Sequence, residues 1–345
     1  MAAAQNQRNF STRSIGVLII VVLSFGLLSG CSGADLPAFD AEKAKALSEE
    51  KRRAYDLIYF NEMATWNLST NRHITEYEAT HPKELGKDVG RFGRKREEEF
   101  RAMALDGYLP AYVALRLFDL QWGKRFADKQ AALMLLDAGE NGDVSAMCAA
   151  GIMPAMKELN EKLPDFAERR GRLLTRGAEQ GHGACLAVRG ARFRYIEVAP
   201  DGIPVLRQSF DAEKGLPDLL ESARQGYYSA HVSLYHIREL ELERKNFQVS
   251  GPLELERVLC WGRLAQQHSN WAGFDVFLSK LNGILPRDLY PDRLDRIDPA
   301  GSRRAKVPPE YFPLLDAYDP SKIPITRKLV TTEKCIGLER QGAQQ

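Results

Sequence analysis

Histidine and cysteine are the side chains most able to hold a metal or attack a carbonyl, and this chain has six of the first and five of the second. The histidines are His73, His81, His182, His231, His236 and His268. None belongs to an HExxH pair, and His231 and His236 miss the i, i+4 spacing that sets two ligands on one helix face. His182 and Cys185 have a zinc-ligand spacing, but a closed tetrahedral site needs a second pair and none accompanies them. His182 reads instead as a residue of a helix–helix turn. Gly181-His182-Gly183 opens like a dinucleotide fingerprint, yet Leu186 stands where the third glycine belongs. No GxSxG elbow and no phosphate-binding loop are present. The acids of Glu239-Leu240-Glu241-Leu242-Glu243 alternate along a helix end and read as surface. The expectation is a chain with no catalytic residues, no metal site and no cofactor: not an enzyme.

Cys31 is placed differently. Before it, Arg8 and Arg13 are the only charges, and Ile15 to Leu28 is an apolar run broken by Gly16, Ser24 and Gly26. A cationic start, a short apolar stretch and small residues at the end describe a secretory signal. The stretch falls short of the roughly 20 apolar residues that span a bilayer. It closes on Leu28-Ser29-Gly30-Cys31, which resembles the lipobox of bacterial lipoproteins. The resemblance implies cleavage between Gly30 and Cys31, a diacylglycerol on the Cys31 thiol and a fatty acid such as palmitate on the new amine. Several acyl chains are what stable anchoring takes, because one alone holds a membrane only marginally. Ser32, where Asp would signal retention, implies the outer membrane and a chain facing the periplasm.

Removing residues 1–30 leaves 345 − 30 = 315 residues and removes two Arg and no acid, so 48 − 2 = 46 basic residues face 46 acidic ones. A formally neutral chain lacks the basic stripe of a nucleic-acid binder. Cys148, Cys185, Cys260 and Cys335 remain in an oxidising compartment where disulfides are allowed. Cys148 and Cys185 lie in small-residue helical stretches and read as buried, unreactive thiols; a Cys260–Cys335 bridge is open.

The elements that position these residues repeat. Gly107, Gly142, Gly181 and Gly226 each end a helical run, at spacings of 35, 39 and 45 residues, and His268 holds the equivalent place 42 residues later. Three residues before each anchor stand Ala104, Gly139, Ala178, Ala223 and Ala265; four residues after stand Ala111, Ala146, Cys185, Ala230 and Ala272. Gly151 and Gly190 follow two of the anchors by nine residues. Phe100, Leu136, Leu174, Leu219 and Trp261 recur six or seven residues ahead. The pattern predicts a helix stopped by a glycine in the left-handed region, a turn, and an antiparallel partner. Small residues on both sides let the two axes approach, and the large apolar ones fill the space between successive pairs.

The segments Leu173-Leu174-Thr175-Arg176-Gly177-Ala178-Glu179-Gln180-Gly181-His182 and Ser222-Ala223-Arg224-Gln225-Gly226-Tyr227 resemble Sel-one-like repeats, helix–turn–helix units related to tetratricopeptide repeats. The likeness covers residues 95–283. It departs from the family where Arg116, Tyr235 and Phe277 replace a small residue, and where a long loop, Glu197 to Asp211, separates two helices. It implies an all-α solenoid of antiparallel helix pairs. Ahead of it lie a lipidated tether (31–40) and an N-terminal helical cap (41–94) with an amphipathic helix over 41–61. The mixed run Arg94-Lys95-Arg96-Glu97-Glu98-Glu99 reads as a solvated face, and Asp128 and Asp165 as helix N-caps. Residues 284–345 carry eight prolines, which excludes a continuous helix; they read as a C-terminal cap with a disordered end after Gln341.

A neutral, anchored solenoid implies a protein-binding module. Among lipoproteins that resemble this one, a recurrent role is immunity: the periplasmic protein binds and occludes a phospholipase effector delivered by type VI secretion. The expected partner is such a lipase, with the solenoid face or the Glu197–Asp211 insert over its active site. The alternative is an envelope scaffold or adaptor for assembly or signalling.

Overall fold

A computed structural model describes residues 36–71, 85–120, 125–154, 156–192, 194–198, 204–245, 248–268, 278, 281, 307–318 and 330–343. The signal segment, Gly30, Cys31, His73, His81, Ala272, Phe277 and much of the proline-rich tail lie outside the described residues.

Among the described residues the regular elements are helices apart from one hairpin. Helix α1 (Ala41–Ala46) is capped by Asp40, whose carboxyl accepts from the amides of Glu42 and Lys43. The chain straightens at Leu47 and resumes as α2 (Glu49–Asn71). The single helix expected over 41–61 is therefore two, and the second runs ten residues further, 71 − 61 = 10. Then come α3 (Leu85–Leu105), α4 (Leu109–Leu117), α5 (Lys129–Glu140), α6 (Val144–Ile152), α7 (Lys157–Lys162), α8 (Phe166–Glu179) and α9 (Gly183–Ala191). After the hairpin follow α10 (Ala212–Arg224), α11 (Tyr228–Arg244), α12 (Pro252–His268), α13 (Phe312–Tyr318) and α14 (Thr332–Gly342).

Four joints share one geometry. Gly107, Gly142, Gly181 and Gly226 have φ of +92°, +104°, +79° and +89°. Each glycine amide donates to the carbonyl three residues back, at 2.9–3.1 Å, and the next amide donates to the carbonyl five residues back, at 2.9–3.2 Å. This double return is the Schellman motif, and it satisfies carbonyls that a helix end leaves orphaned. The residue after the glycine then opens the next helix. Asp143 accepts from the Ala146 amide at 2.9 Å, and His182 Nδ1 accepts from the Ala184 amide at 3.3 Å. Two helices are thus joined with one residue between the glycine and the new helix.

The small columns lie where backbones meet. Ala104, Ala178, Ala223, Ala111, Ala146, Cys185 and Ala230 are all buried. A Cβ on Gly151 would sit 2.6 Å from Leu174, and one on Gly190 would sit 2.8 Å from the Gly215 carbonyl, so these glycines bring each pair onto the next helix. Phe100, Leu136, Leu174, Leu219 and Trp261 are the buried fill between them. Successive helices touch from α3 to α6 and from α8 to α12; α4–α6, α6–α8 and α9–α11 touch across one intervening helix, and α6–α9 across two.

Several expectations are corrected. Cys148 and Cys185 are not free thiols: they form a disulfide between α6 and α9, with Cα atoms 5.2 Å apart. Gly177 makes the room, since a Cβ there would lie 2.5 Å from the sulfur of Cys185 and 2.8 Å from that of Cys148. Much of the insert Glu197–Asp211 is not a loop. Strands β1 (Arg194–Val198) and β2 (Pro204–Phe210) pair antiparallel, Arg194 opposite Phe210 and Val198 opposite Pro204. Asp128 caps α5 through the Ala131 amide, but Asp165 makes no side-chain cap. Within the run 94–99, Arg96 is buried and donates to Glu62 at 2.9 Å, tying α3 to α2. Helix α14 runs one residue past Gln341, to Gly342, and residues 344–345 lie outside the described residues.

Helix α14 is fixed on α12 and α11 by a second disulfide, Cys260–Cys335, and by Glu339. The buried Glu339 carboxyl accepts from Arg238 Nε at 3.0 Å, Arg257 Nη2 at 2.8 Å and Trp261 Nε1 at 2.9 Å. Burial pushes this carboxyl up, but the charges and hydrogen bonds of Arg238 and Arg257 outweigh it and hold the group below the ordinary 4.5. A depressed acid stabilises the fold above its unfolded value and loses that contribution as pH falls through its folded one. The docking of α14 is thus expected to be full above about pH 4.5 and to weaken below it. Glu339→Gln should remove this acid sensitivity and cost about 3–5 kcal/mol, the usual penalty for orphaning buried partners. Thermal melts at stepped pH check both.

The glycines give a graded test. Gly142 has no neighbour within 4 Å of an added Cβ, whereas at Gly107 that atom would lie 2.5 Å from the Ala44 amide. Gly142→Ala should cost about 1–2 kcal/mol, the left-handed backbone penalty alone. Gly107→Ala should cost more, because α1 must also move; denaturant titration of the two variants decides.

Candidate functional site

Of the residues singled out in the sequence, the four turn glycines each have a flanking residue, or their own backbone, met by a side chain of helix α1 or α2.

At the first turn, Lys43 donates to the Leu105 carbonyl at 3.0 Å, Lys51 pairs with Asp106 at 2.7 Å, and the Tyr55 hydroxyl donates to Asp106. Tyr108, the residue after Gly107, sends its hydroxyl to Asp56 Oδ1 at 2.7 Å. At the second turn, Arg52 Nη1 donates to Asp143 Oδ2 at 2.8 Å. At the third, His182 Nε2 lies 3.2 Å from Asp56 Oδ2, and the Phe60 ring stands edge-on to the imidazole. At the fourth, Asn61 Nδ2 donates to the Gly226 carbonyl at 3.2 Å and its Oδ1 accepts from the Tyr228 amide at 2.8 Å. From the second turn to the fourth, helix α2 meets the turns in chain order, about one helical turn of α2 for each step. Arg52, Asp56 and Phe60 follow i, i+4 spacing and so form one stripe.

The turns also hold one another. Gln225 donates to the Gly181 carbonyl at 3.0 Å, and the Ser222 hydroxyl to the Gly183 carbonyl at 2.6 Å. A Cβ on Gly183 would meet the Tyr227 ring at 2.3 Å, so the fourth turn packs flat on the third.

Among the described residues, Asp56, His182 and Tyr108 form a hydrogen-bonded cluster that joins the first turn to the third. His182 Nδ1 accepts from the Ala184 amide, and Nε2 lies against Asp56 Oδ2. Both imidazole nitrogens are thus engaged and neither faces a nucleophile. Asp56 is buried and gathers two turns at once. Burial first, and the neighbouring Asp56 second, push the Tyr108 hydroxyl well above its ordinary value, so it stays a proton donor. Burial does the same for Tyr227 and Tyr59. Hydrogen bonds from Lys51 and Tyr55 hold Asp106 below the ordinary range. Among the described residues no group of three or more His, Cys, Asp or Glu is placed to hold a metal ion.

The sequence reading found His182 as a turn residue but missed Arg52, Asp56 and Asn61. The signal was present as polar residues recurring on the apolar face of α2, the face that carries Tyr59, Phe60 and Met63 into the core. No family model, curated protein or solved structure matches the chain.

Asp56→Ala removes the acceptor for two buried donors on two turns. Each unsatisfied donor costs about 1–3 kcal/mol, so the variant should lose about 2–6 kcal/mol of stability. Loss of protection at the first and third turns in hydrogen exchange, with the second spared, is the expected pattern. Uniform loss would sink the idea that Asp56 joins those two in particular.

Proposed function

We propose that this chain is an exported, lipid-anchored, protein-binding solenoid of the Sel-one-like type. Within that class we propose an immunity protein that occludes a phospholipase effector delivered by type VI secretion. The observation that carries the solenoid reading is the fourfold helix–glycine–helix joint with one hydrogen-bonding scheme, together with contacts between neighbouring pairs. Stacked units of this kind present extended surfaces to protein partners.

The cysteines support export and anchoring. Five are present, and two buried disulfides consume four of them. Such bridges belong to an oxidising compartment. The cysteine outside both bridges is Cys31, the residue to which the lipobox resemblance assigns the lipid.

Helix α2 already occupies the row of turns, so a partner binds elsewhere. The insertion between α9 and α10 is the natural contact. It places a hairpin in the connection between two helix pairs, and a two-stranded ribbon keeps backbone donors and acceptors on its outer edges. A partner strand pairing there would gain main-chain hydrogen bonds.

The test is co-expression with a lipase encoded beside this gene. The lipase should co-purify, lose activity, and kill cells in which this chain is deleted. Replacing residues 194–210 by a short Gly/Ser link should abolish capture while leaving the unfolding midpoint near that of the parent. Equal capture by the trimmed protein removes the hairpin from the interface; no interaction with the lipase removes the immunity reading. Non-reducing peptide mapping should find Cys148 linked to Cys185, Cys260 linked to Cys335, and Cys31 carrying lipid mass.

A further inference from the structure

We propose that the first-turn end of the helical array, where α1, α3 and α4 meet, rests against the phospholipid headgroups of the membrane that holds the anchor. The inference builds on lipidation of Cys31. Leu36 is only 8% exposed and belongs to the same apolar core as Phe100 and Tyr112. Three residues on, the Phe39 ring packs on Tyr112 of α4 with centroids 5.2 Å apart. The chain is therefore fixed to the first helix pair from Leu36 onward. Five residue steps separate Leu36 from Cys31, and at about 3.5 Å per extended residue they reach at most about 17 Å. A helix with its side chains is about 10–12 Å across. The leash is thus shorter than two helix diameters, too short for the body to swing another end onto the bilayer.

The surface at that end has the chemistry for the contact. Leu105, the last residue of α3, is one of three large apolar side chains among the described residues that stand exposed, at 45%. Lys43 lies against it, with Nζ 3.0 Å from the Leu105 carbonyl. Lys45 and Lys51 stand exposed nearby on α1 and α2, paired with Glu42 and Asp106. An apolar side chain beside long-stemmed ammonium groups suits the boundary between acyl chains and headgroup phosphates. No helix among the described residues is long and apolar enough to cross a membrane, so the contact is made at the surface.

The experiment is hydrogen–deuterium exchange of the acylated full chain on phosphatidylcholine/phosphatidylglycerol vesicles, compared with the unlipidated Cys31→Ser chain in solution. Slower exchange is expected on the vesicles in residues 41–47 and 104–108, with residues 332–342 unchanged. A Gly/Ser insert of about 24 residues after Ser32, with a root-mean-square reach of about 27 Å, should abolish that protection. Leu105→Asp, at an exposed position, should weaken it with the fold intact. Protection confined to other segments, or retained with the long insert, overturns the orientation while leaving the anchor in place. A Cys31 found unmodified by mass spectrometry overturns the anchor and the orientation together.

Discussion

The structure depends on a helix end that closes on itself in two residues. A glycine at positive φ returns its amide to the carbonyl three residues back, and the next amide returns to the carbonyl five residues back. Because the chain needs no loop, the second helix leaves the turn alongside the first. Each pair can then be tight only if the residues flanking the turn are small. That requirement fixes the alanine columns and leaves Cys185 as their one sulfur-bearing member. Cys185 is small enough to belong to the column and able to bond across it, so the disulfide to Cys148 arises where two pairs already touch.

The row of turns would be a line of polar groups facing water if nothing lay over it. Helices α1 and α2 cover it, and the contacts are mostly hydrogen bonds from single side chains of α2 to single turns. Asp56 is the most constrained of these, since it serves the first turn through Tyr108 and the third through His182. A rigid rod bonded to four successive joints holds the spacing between them. The N-terminal segment therefore fixes how those joints sit relative to one another.

At the other end the lock is of a different kind. A disulfide and one buried carboxyl, shared by two guanidiniums and an indole, hold α14 on the preceding helices. Around Glu339 the Coulomb attraction outweighs the burial penalty, so this contact strengthens toward neutral pH. The disulfide adds a constraint on a 75-residue separation, worth about 4–5 kcal/mol in the loop-entropy picture. The first half of the chain is thus held by a helix laid across it, and the last by a covalent bond and a buried charge.

The sequence alone determined the joints. A glycine after an apolar run, with small residues three before and four after, has few physical solutions, and the four described joints follow the helix–turn–helix geometry expected of it. It also determined the buried fill at Phe100, Leu136, Leu174, Leu219 and Trp261, because large apolar residues at a fixed distance from a turn must point between pairs. Tertiary structure alone decided the partners of those units. Cys148 and Cys185 are 37 residues apart, and only the stacking of α6 on α9 brings their Cα atoms to 5.2 Å. The stripe Arg52, Asp56 and Phe60 is local in sequence, but its meaning depends on turns found 52 to 167 residues away, at Tyr108 and Tyr227, which no local pattern encodes. Strand pairing in the insert likewise depends on a cross-chain register that its proline and glycine content concealed. Local backbone geometry is written in short windows; contacts closed across long stretches of chain appear only when the helices are packed.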